Sequence, residues 1–160
     1  MSIVKLKILG DPMGKQRPKF SNAGGFVKTY TPKETTNYES LVVAEYRKNH
    51  KEKVFKPHEE IWATIIAYFK IPKQHYRYHK RTNSVDLDKD GELMKIGVLR
   101  PLKKPDTDNI AKICLDALND IAYPDDSQIT TLLVIKQYSE EPRVEITLES
   151  KGEQNDKKSD

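Results

Sequence analysis

Asp106, Asp108, Asp116, Asp125 and Asp126 fall with Lys112 in one stretch, Lys104 to Gln128. Clustered carboxylates repel one another unless a cation sits between them, and hard oxygen ligands are what Mg²⁺ or Mn²⁺ requires. A lysine one helical turn from such a site can offset negative charge developing on a phosphoryl group. The chemistry that these residue types allow together is metal-assisted hydrolysis of a nucleic-acid phosphodiester. A plainer arrangement uses the same residues. It is a solvated ladder of i,i+4 ion pairs, each worth roughly 0.2–0.5 kcal/mol, with an aspartate as an ordinary helix cap.

For these groups to meet, Asn109 to Ile121 must be a helix. Ile110, Ile113, Cys114, Ala117, Leu118 and Ile121 share one face at the helical period and make a core stripe. Asp108, Lys112 and Asp116 recur at every fourth residue on the opposite face. Asp106 precedes the helix, and Asp125-Asp126 leads into a strand from Gln128 to Tyr138. A strand returning beside the helix could bring the two acid groups together. Side chains alternate along a strand, so Asp125 and Asp126 are expected on opposite faces and only one of them as a ligand. Asp116 is expected to support the site, either from behind the metal ligands or as an ion-pair partner of Lys112.

The remaining elements must supply a scaffold and a substrate surface. Ile3 to Leu9 alternates apolar and polar residues as a half-buried strand does, and Phe26 to Tyr30 can return as a short strand after turn residues Asn22 to Gly25. Thr31-Pro32-Lys33-Glu34 has the makings of a helix start with Thr31 as cap. Tyr38, Leu41, Val42 and Tyr46 then follow helical spacing to about Asn49. Ile61 to Phe69 is apolar on both faces and reads as a central strand. Arg143 to Glu149 alternates as a strand with one wet face, and the turn at Glu140-Glu141-Pro142 predicts an antiparallel pair with Gln128–Tyr138. Asn83 to Lys103 reads as a long polar insertion, and residues 150–160 as a charged tail with nothing to bury, expected to be disordered.

Two segments are basic enough to meet a polyanion. One is the loop Met13 to Phe20, with Lys15, Arg17 and Lys19. The other is Lys73 to Arg81, where Lys73, Arg77, Lys80 and Arg81 interleave with Tyr76 and Tyr78. Several other motifs are excluded. Gly10 and Gly14 stand one residue too close for a P-loop, and Gln16 replaces the required Ser or Thr. His75 and His79 have zinc-ligand spacing but no third ligand in view. Asp86 to Gly91 opens like a calcium loop, yet its twelfth position is Gly97 rather than a glutamate.

The bulk numbers agree with this division. The chain has 160 residues and a net charge of +4. Residues 1–85 carry 17 Lys or Arg against 7 Asp or Glu, and residues 86–160 carry 11 against 17. A basic half beside an acidic half suits a protein that grips a polyanion with one part and holds cations with the other; the plainer reading is solvated surface. The longest apolar run, Ile61 to Phe69, is too short to span a bilayer. The start M-S-I-V-K-L-K lacks a secretory pattern, and the single Cys114 cannot form an intrachain disulfide. These features predict no membrane partner and a cytoplasmic location.

The string P-D-T-D-N-I-A-K-I-C-L-D-A-L, followed by Y-P-D-D-S-Q-I, resembles the signature of the RusA family of Holliday junction resolvases. These are small, phage-associated bacterial endonucleases. The family pattern D-x-D-N-x-x-K-x-x-x-D-A-L and then D-D-x-Q is met without a break, and G-D-P-M-G-K-Q-R-P-K-F and T-P-K resemble the family's N-terminal half. The likeness covers most of residues 1–149, taken as one nuclease domain, and the insertion about 83–103 is its main departure. The resemblance implies a homodimer of α/β (α+β) subunits, each a small mixed sheet with helices packed on it. It implies binding of four-way junction DNA and symmetric nicking of opposed strands with Mg²⁺ or Mn²⁺, in recombination and repair in a bacterial or prophage setting. It places catalytic and metal-binding roles on Asp106, Asp108 and Asp126, the catalytic lysine on Lys112, and a less defined role on Asp125. Two other readings stay open: a branched-DNA-binding module that does not cut, and a nuclease for other branched DNA.

Overall fold

Alternation becomes burial in the first strand. In β1 (Ile3–Leu9) Val4, Leu6 and Ile8 are buried while the residues between them are exposed. The structure, a computed structural model, describes residues 1–153. After β1 come a hairpin, β2 (Lys19–Ala23) and β3 (Phe26–Tyr30), helix α1 (Lys33–Asn49) and strand β4 (Glu59–Lys70). A second hairpin, β5 (Tyr76–His79) and β6 (Ser84–Leu87), leads to helices α2 (Lys89–Lys95) and α3 (Thr107–Leu118). Strands β7 (Ile129–Ser139) and β8 (Arg143–Glu153) complete the domain.

The main sheet has the order β1-β8-β4-β7. β8 is antiparallel to both β1 and β4, and β4 is parallel to β7. One face of the sheet presents Val4, Leu6, Ile8, Ile61, Ala63, Ile65, Ala67, Val144, Ile146 and Leu148, all buried. Against it lie Tyr38, Val42 and Tyr46 of α1 and Ile110, Ile113, Cys114, Ala117 and Leu118 of α3, in one continuous core. The result is a single domain of mixed α+β type. Among the described residues, no helix is long and apolar enough to cross a membrane.

Several expectations are corrected. β7 and β8 do not pair; both flank β4. The link Glu140–Pro142 therefore passes the end of β4, across two strand spacings of about 4.8 Å each. Three extended residues reach that far. The crossing is fixed by bonds from the Ile71 N–H to the Ser139 carbonyl (3.1 Å) and from the Gly10 N–H to the Pro142 carbonyl (3.0 Å). The segment read as a long polar insertion, 83–103, contains β6 and α2. Asp88, read above as part of a failed calcium loop, caps α2 by accepting the Gly91 N–H at 2.8 Å. α1 starts one residue later than expected, with Pro32 rather than Thr31 at the cap position. Leu41 of that helix points outward and is exposed.

The tail expectation fails at its beginning. β8 runs on to Glu153, Ser150 is buried, and its N–H donates to the Ser2 carbonyl at 2.9 Å. Backbone pairing with β4 and the bond to Ser2 hold these residues although they carry little apolar surface. The rest of that expectation, residues 154–160, lies outside the described residues.

Candidate active site

α3 is amphipathic as its spacing predicts. Ile110, Ile113, Cys114, Ala117 and Leu118 are buried, together with Ala111, while Asp108 and Lys112 face solvent. The helix runs Thr107–Leu118 rather than 109–121, so its start falls directly on the acids. Asp106 occupies the cap position, yet its carboxylate caps no backbone N–H. Its side chain accepts only the Asn109 Nδ2–H, at 3.2 Å. Asp108 lies in the first turn, where unpaired N–H groups and the helix dipole favour negative charge. Both carboxylates are thus exposed and not committed to the backbone.

The basic N-terminal loop lies against this end of α3. The Lys15 N–H donates to the Asn109 carbonyl at 2.9 Å. A Cβ on Gly14 would stand 2.7 Å from Pro105 Cβ and 3.1 Å from Asn109 Cβ, so only glycine allows this approach. Between loop and helix is an open groove of about 610 Å³, lined among others by Met13, Arg17, Lys104, Pro105 and Asp106. Asp106 thus lines the same trough as the cations Arg17 and Lys104.

Lys15 itself is already paired. Its ammonium bonds Glu39 of α1 and lies 3.0 Å from Asp116 Oδ2 on α3. Partial burial works to lower its pKa, but the hydrogen bonds and charges of Glu39 and Asp116 outweigh this and raise it above the ordinary lysine value. Lys15 therefore ties the loop to both helices. The partner of Asp116 is Lys15, not Lys112 as expected from the helix alone.

The second acid group has a different local structure. Asp125 and Asp126 do not lie on a strand; they form a 3-10 turn over Asp126–Gln128 that precedes β7. Asp125 caps it, accepting the Ser127 N–H at 2.8 Å, and the Asp125 N–H donates to Gln128 Oε1 at 3.3 Å. Gln128 Nε2 in turn donates to the carbonyls of Lys56 (2.8 Å) and Glu59 (3.1 Å), fastening the turn to the start of β4. Hydrogen bonds from Ser127 hold the Asp125 carboxyl below its ordinary pKa. Asp126 is left exposed. Below it, the buried Tyr123 hydroxyl donates to the Leu115 carbonyl at 2.8 Å. Burial raises the Tyr123 pKa, and the nearby charges of Asp126 and Asp116 raise it further.

Lys136 of β7 is a residue that the sequence reading missed. Its ammonium donates to the Lys103 carbonyl and sits 5.1 Å from the centre of the Phe69 ring. Burial lowers its pKa; the charge of Asp106 opposes this and that of Lys103 adds to it. A lone lysine in an apolar strand was the available signal, but its proximity to Asp106 depends on the β4–β7 pairing. In the second basic segment, Lys73, Arg77, Lys80 and Arg81 are exposed around the β5–β6 hairpin. The two histidines there are matched to acids, His75 Nδ1 with Asp88 at 3.1 Å and His79 Nε2 with Asp86 at 3.0 Å.

Among the described residues, no three His, Cys, Asp or Glu side chains converge to hold a metal ion. The donor set still suits one kind of ion. Asp106, Asp108 and Asp126 offer only hard oxygens and are exposed. Mg²⁺ is commonly held by one or two carboxylates, with waters and substrate phosphates completing its shell, rather than by an all-protein cage.

Two comparisons bear on this arrangement. The chain is 31% identical over 148 residues to a Bacillus subtilis (strain 168) protein named "Uncharacterized protein YqaN", an alignment covering 92% of this chain and 96% of that one. Residues 10–149 match the family described as "Endodeoxyribonuclease RusA". That span takes in the basic loop, both acid groups, Lys112 and all strands of the main sheet except β1 and the end of β8. By that match, the chain belongs to the RusA family of endodeoxyribonucleases, to which Holliday junction resolution is attached.

Proposed function

We propose that this protein is a divalent-metal-dependent endonuclease that resolves four-way DNA junctions by nicking opposed strands symmetrically, acting as a homodimer in the bacterial cytoplasm where such DNA arises. The observation that carries the reading is the pair Asp106 and Asp108. Both are exposed at the start of α3 and free of backbone capping, and Asp106 lines a groove with Arg17 and Lys104, in a chain of this family.

Asp106, Asp108 and Asp126 are the residues that would hold Mg²⁺ or Mn²⁺, with substrate phosphate completing the shell. Bound there, the ion would polarise the scissile phosphate and ease the deprotonation of water. Lys112, one turn beyond Asp108, offsets negative charge that builds on the phosphoryl oxygens. Arg17, Lys19 and Lys104 hold the backbone on either side of the groove, and Lys136 adds a cation near Asp106. Lys73, Arg77, Lys80 and Arg81 take a more distant part of the same substrate. Lys15 and Asp116 position the loop, and Asp125 shapes the turn that presents Asp126.

The test is Mg²⁺-dependent cleavage of a synthetic four-way junction. Wild type nicks it, and Asp108→Asn binds it without cutting. A second reading, a branched-DNA-binding module without nuclease activity, draws on the lack of a three-carboxylate cluster among the described residues. It prevails if purified wild type binds the junction and leaves it intact with both Mg²⁺ and Mn²⁺. Better cutting of flaps than of four-way junctions would assign the enzyme to other branched DNA.

A further inference from the structure

Among the described residues, the β2–β3 hairpin contributes nothing to the core. Its strands pair only with each other. Every residue of β3 is exposed, with Phe26 at 76%, Val27 at 66% and Tyr30 at 49%, and on β2 Phe20 reaches 73%. A two-stranded hairpin with neither face covered is marginal in water on its own. Large apolar side chains on such an element are presented to a partner.

Charge and register say what kind. From Pro12 to Lys33 the chain has five Lys or Arg and no Asp or Glu. Lys15 is neutralised by Glu39 and Asp116, which leaves Arg17, Lys19 and Lys28 exposed at the hairpin. Lys19 pairs with Tyr30, Ser21 with Lys28, and Ala23 with Phe26. Directly paired residues share a face, so Phe26, Lys28, Tyr30 and Lys19 form one row of alternating aromatic and cationic groups. Phe20 and Val27 lie on the other face. An aromatic row with interspersed lysines and no acid suits nucleic acid, whose bases stack on rings and whose phosphates pair with the ammonium groups.

Position and spacing narrow this further. The hairpin begins two residues after Arg17, which lines the same groove as Asp106. Each strand of five residues reaches about 17 Å. Phe26 and Tyr30 lie about 14 Å apart along β3. Neighbouring bases in a duplex are separated by only about 3.4 Å. The two rings therefore cannot serve adjacent stacked bases; they suit bases parted from one another where helical arms diverge.

We propose that the β2–β3 hairpin is a stacking arm for branched DNA. Phe26 and Tyr30 cap bases unstacked at the branch point, and Lys19 and Lys28 hold the flanking phosphates. This inference rests on the nuclease reading and supplies its structural selectivity. The experiment measures binding in EDTA, where cleavage is off, with a four-way junction carrying 2-aminopurine at the branch point and a linear duplex of matched sequence. Wild type binds the junction more tightly than the duplex and changes the 2-aminopurine emission. Phe26→Ala/Tyr30→Ala loses that change and about tenfold or more of junction affinity, with duplex affinity kept. Phe20→Ala/Val27→Ala, on the opposite face, behaves as wild type, and Phe26→Trp retains the signal.

The proposal is overturned if Phe26→Ala/Tyr30→Ala keeps both the preference and the emission change. It is also overturned if that variant alters the oligomeric state without DNA, since the arm then serves another protein copy. In both cases wild-type cleavage with Mg²⁺ leaves the nuclease reading standing. Wild type that neither prefers junctions nor cuts them removes both.

Discussion

The acids at the two ends of α3 look alike in sequence and are used differently. At the start of the helix, Asp106 occupies the cap position without capping, and Asp108 is exposed one turn before Lys112. After the helix, Asp125 is a cap in full, and only Asp126 is left over. At the helix start the N-terminal loop packs close through Gly14 and donates the Lys15 N–H to the Asn109 carbonyl, while the Asp106 carboxylate caps no backbone N–H. The short turn before β7 is held by the side chains of Asp125 and Gln128, and Gln128 also fastens it to the Lys56 and Glu59 carbonyls at the start of β4. Of the adjacent pair of aspartates, one is thus bound into its turn and the other is left exposed.

The largest effect expected from this contrast is on cleavage. Asp126→Asn removes a proposed ligand oxygen and keeps the size of the side chain. Junction cleavage falls by at least about a hundredfold, because even residues that merely orient metal ligands matter by 10–100-fold. Asp125→Asn, one residue away, leaves cleavage within about threefold, since asparagine also caps well. Single-turnover cleavage of a labelled junction measures both. Equal losses at the two positions would break the contrast and place Asp125 in the chemistry.

A smaller effect tests the other end. Gly14→Ala puts a methyl group 2.7 Å from the rigid Pro105 ring. Overpacking of this kind costs about 1–3 kcal/mol and is relieved here by lifting the loop off α3. Junction binding weakens roughly tenfold as Arg17 moves away from the groove, while the Asp125 turn is untouched. Binding titrations at two salt concentrations, with the thermal midpoint of each protein, separate a displaced loop from a destabilised domain. Unchanged binding would show that the loop does not set the DNA surface.

How much of this was readable in advance follows from the range of each interaction. The buried stripe of α3 and the alternation of β1 are local patterns, and both are visible at their periods. The turn before β7 was local too: Asp125-x-x-Gln128 is capping-box spacing, although strand alternation was applied to it instead. What was not readable depends on residues distant in the chain. Lys15 meets Glu39 and Asp116 only once the loop, α1 and α3 have packed. Lys136 comes near Asp106 only because β7 lies parallel to β4 at the sheet edge. The antiparallel pairing expected of β7 and β8 failed for the same reason, since a short link can pass a strand end as readily as it can make a hairpin.

The smallest effect concerns stability against pH and isolates Asp125 as a folding group. The Ser127 hydrogen bonds stabilise its ionised form, so its pKa in the folded protein lies below the ordinary value of 3.8. A depressed carboxylate pKa means that the unfolded chain binds the proton more readily than the folded one. The contribution of Asp125 is therefore complete above the ordinary carboxylate range and fades as pH falls through its lowered folded value. Asp125→Ala removes the cap altogether. Its thermal midpoint lies below that of wild type at pH 7, the gap stays constant down to about pH 5, and it narrows below pH 4 as wild type loses the same interaction. A gap for Asp125→Ala that persists unchanged into acid would mean that the turn is held by Gln128 alone, and the division of labour within the aspartate pair would lose its physical basis.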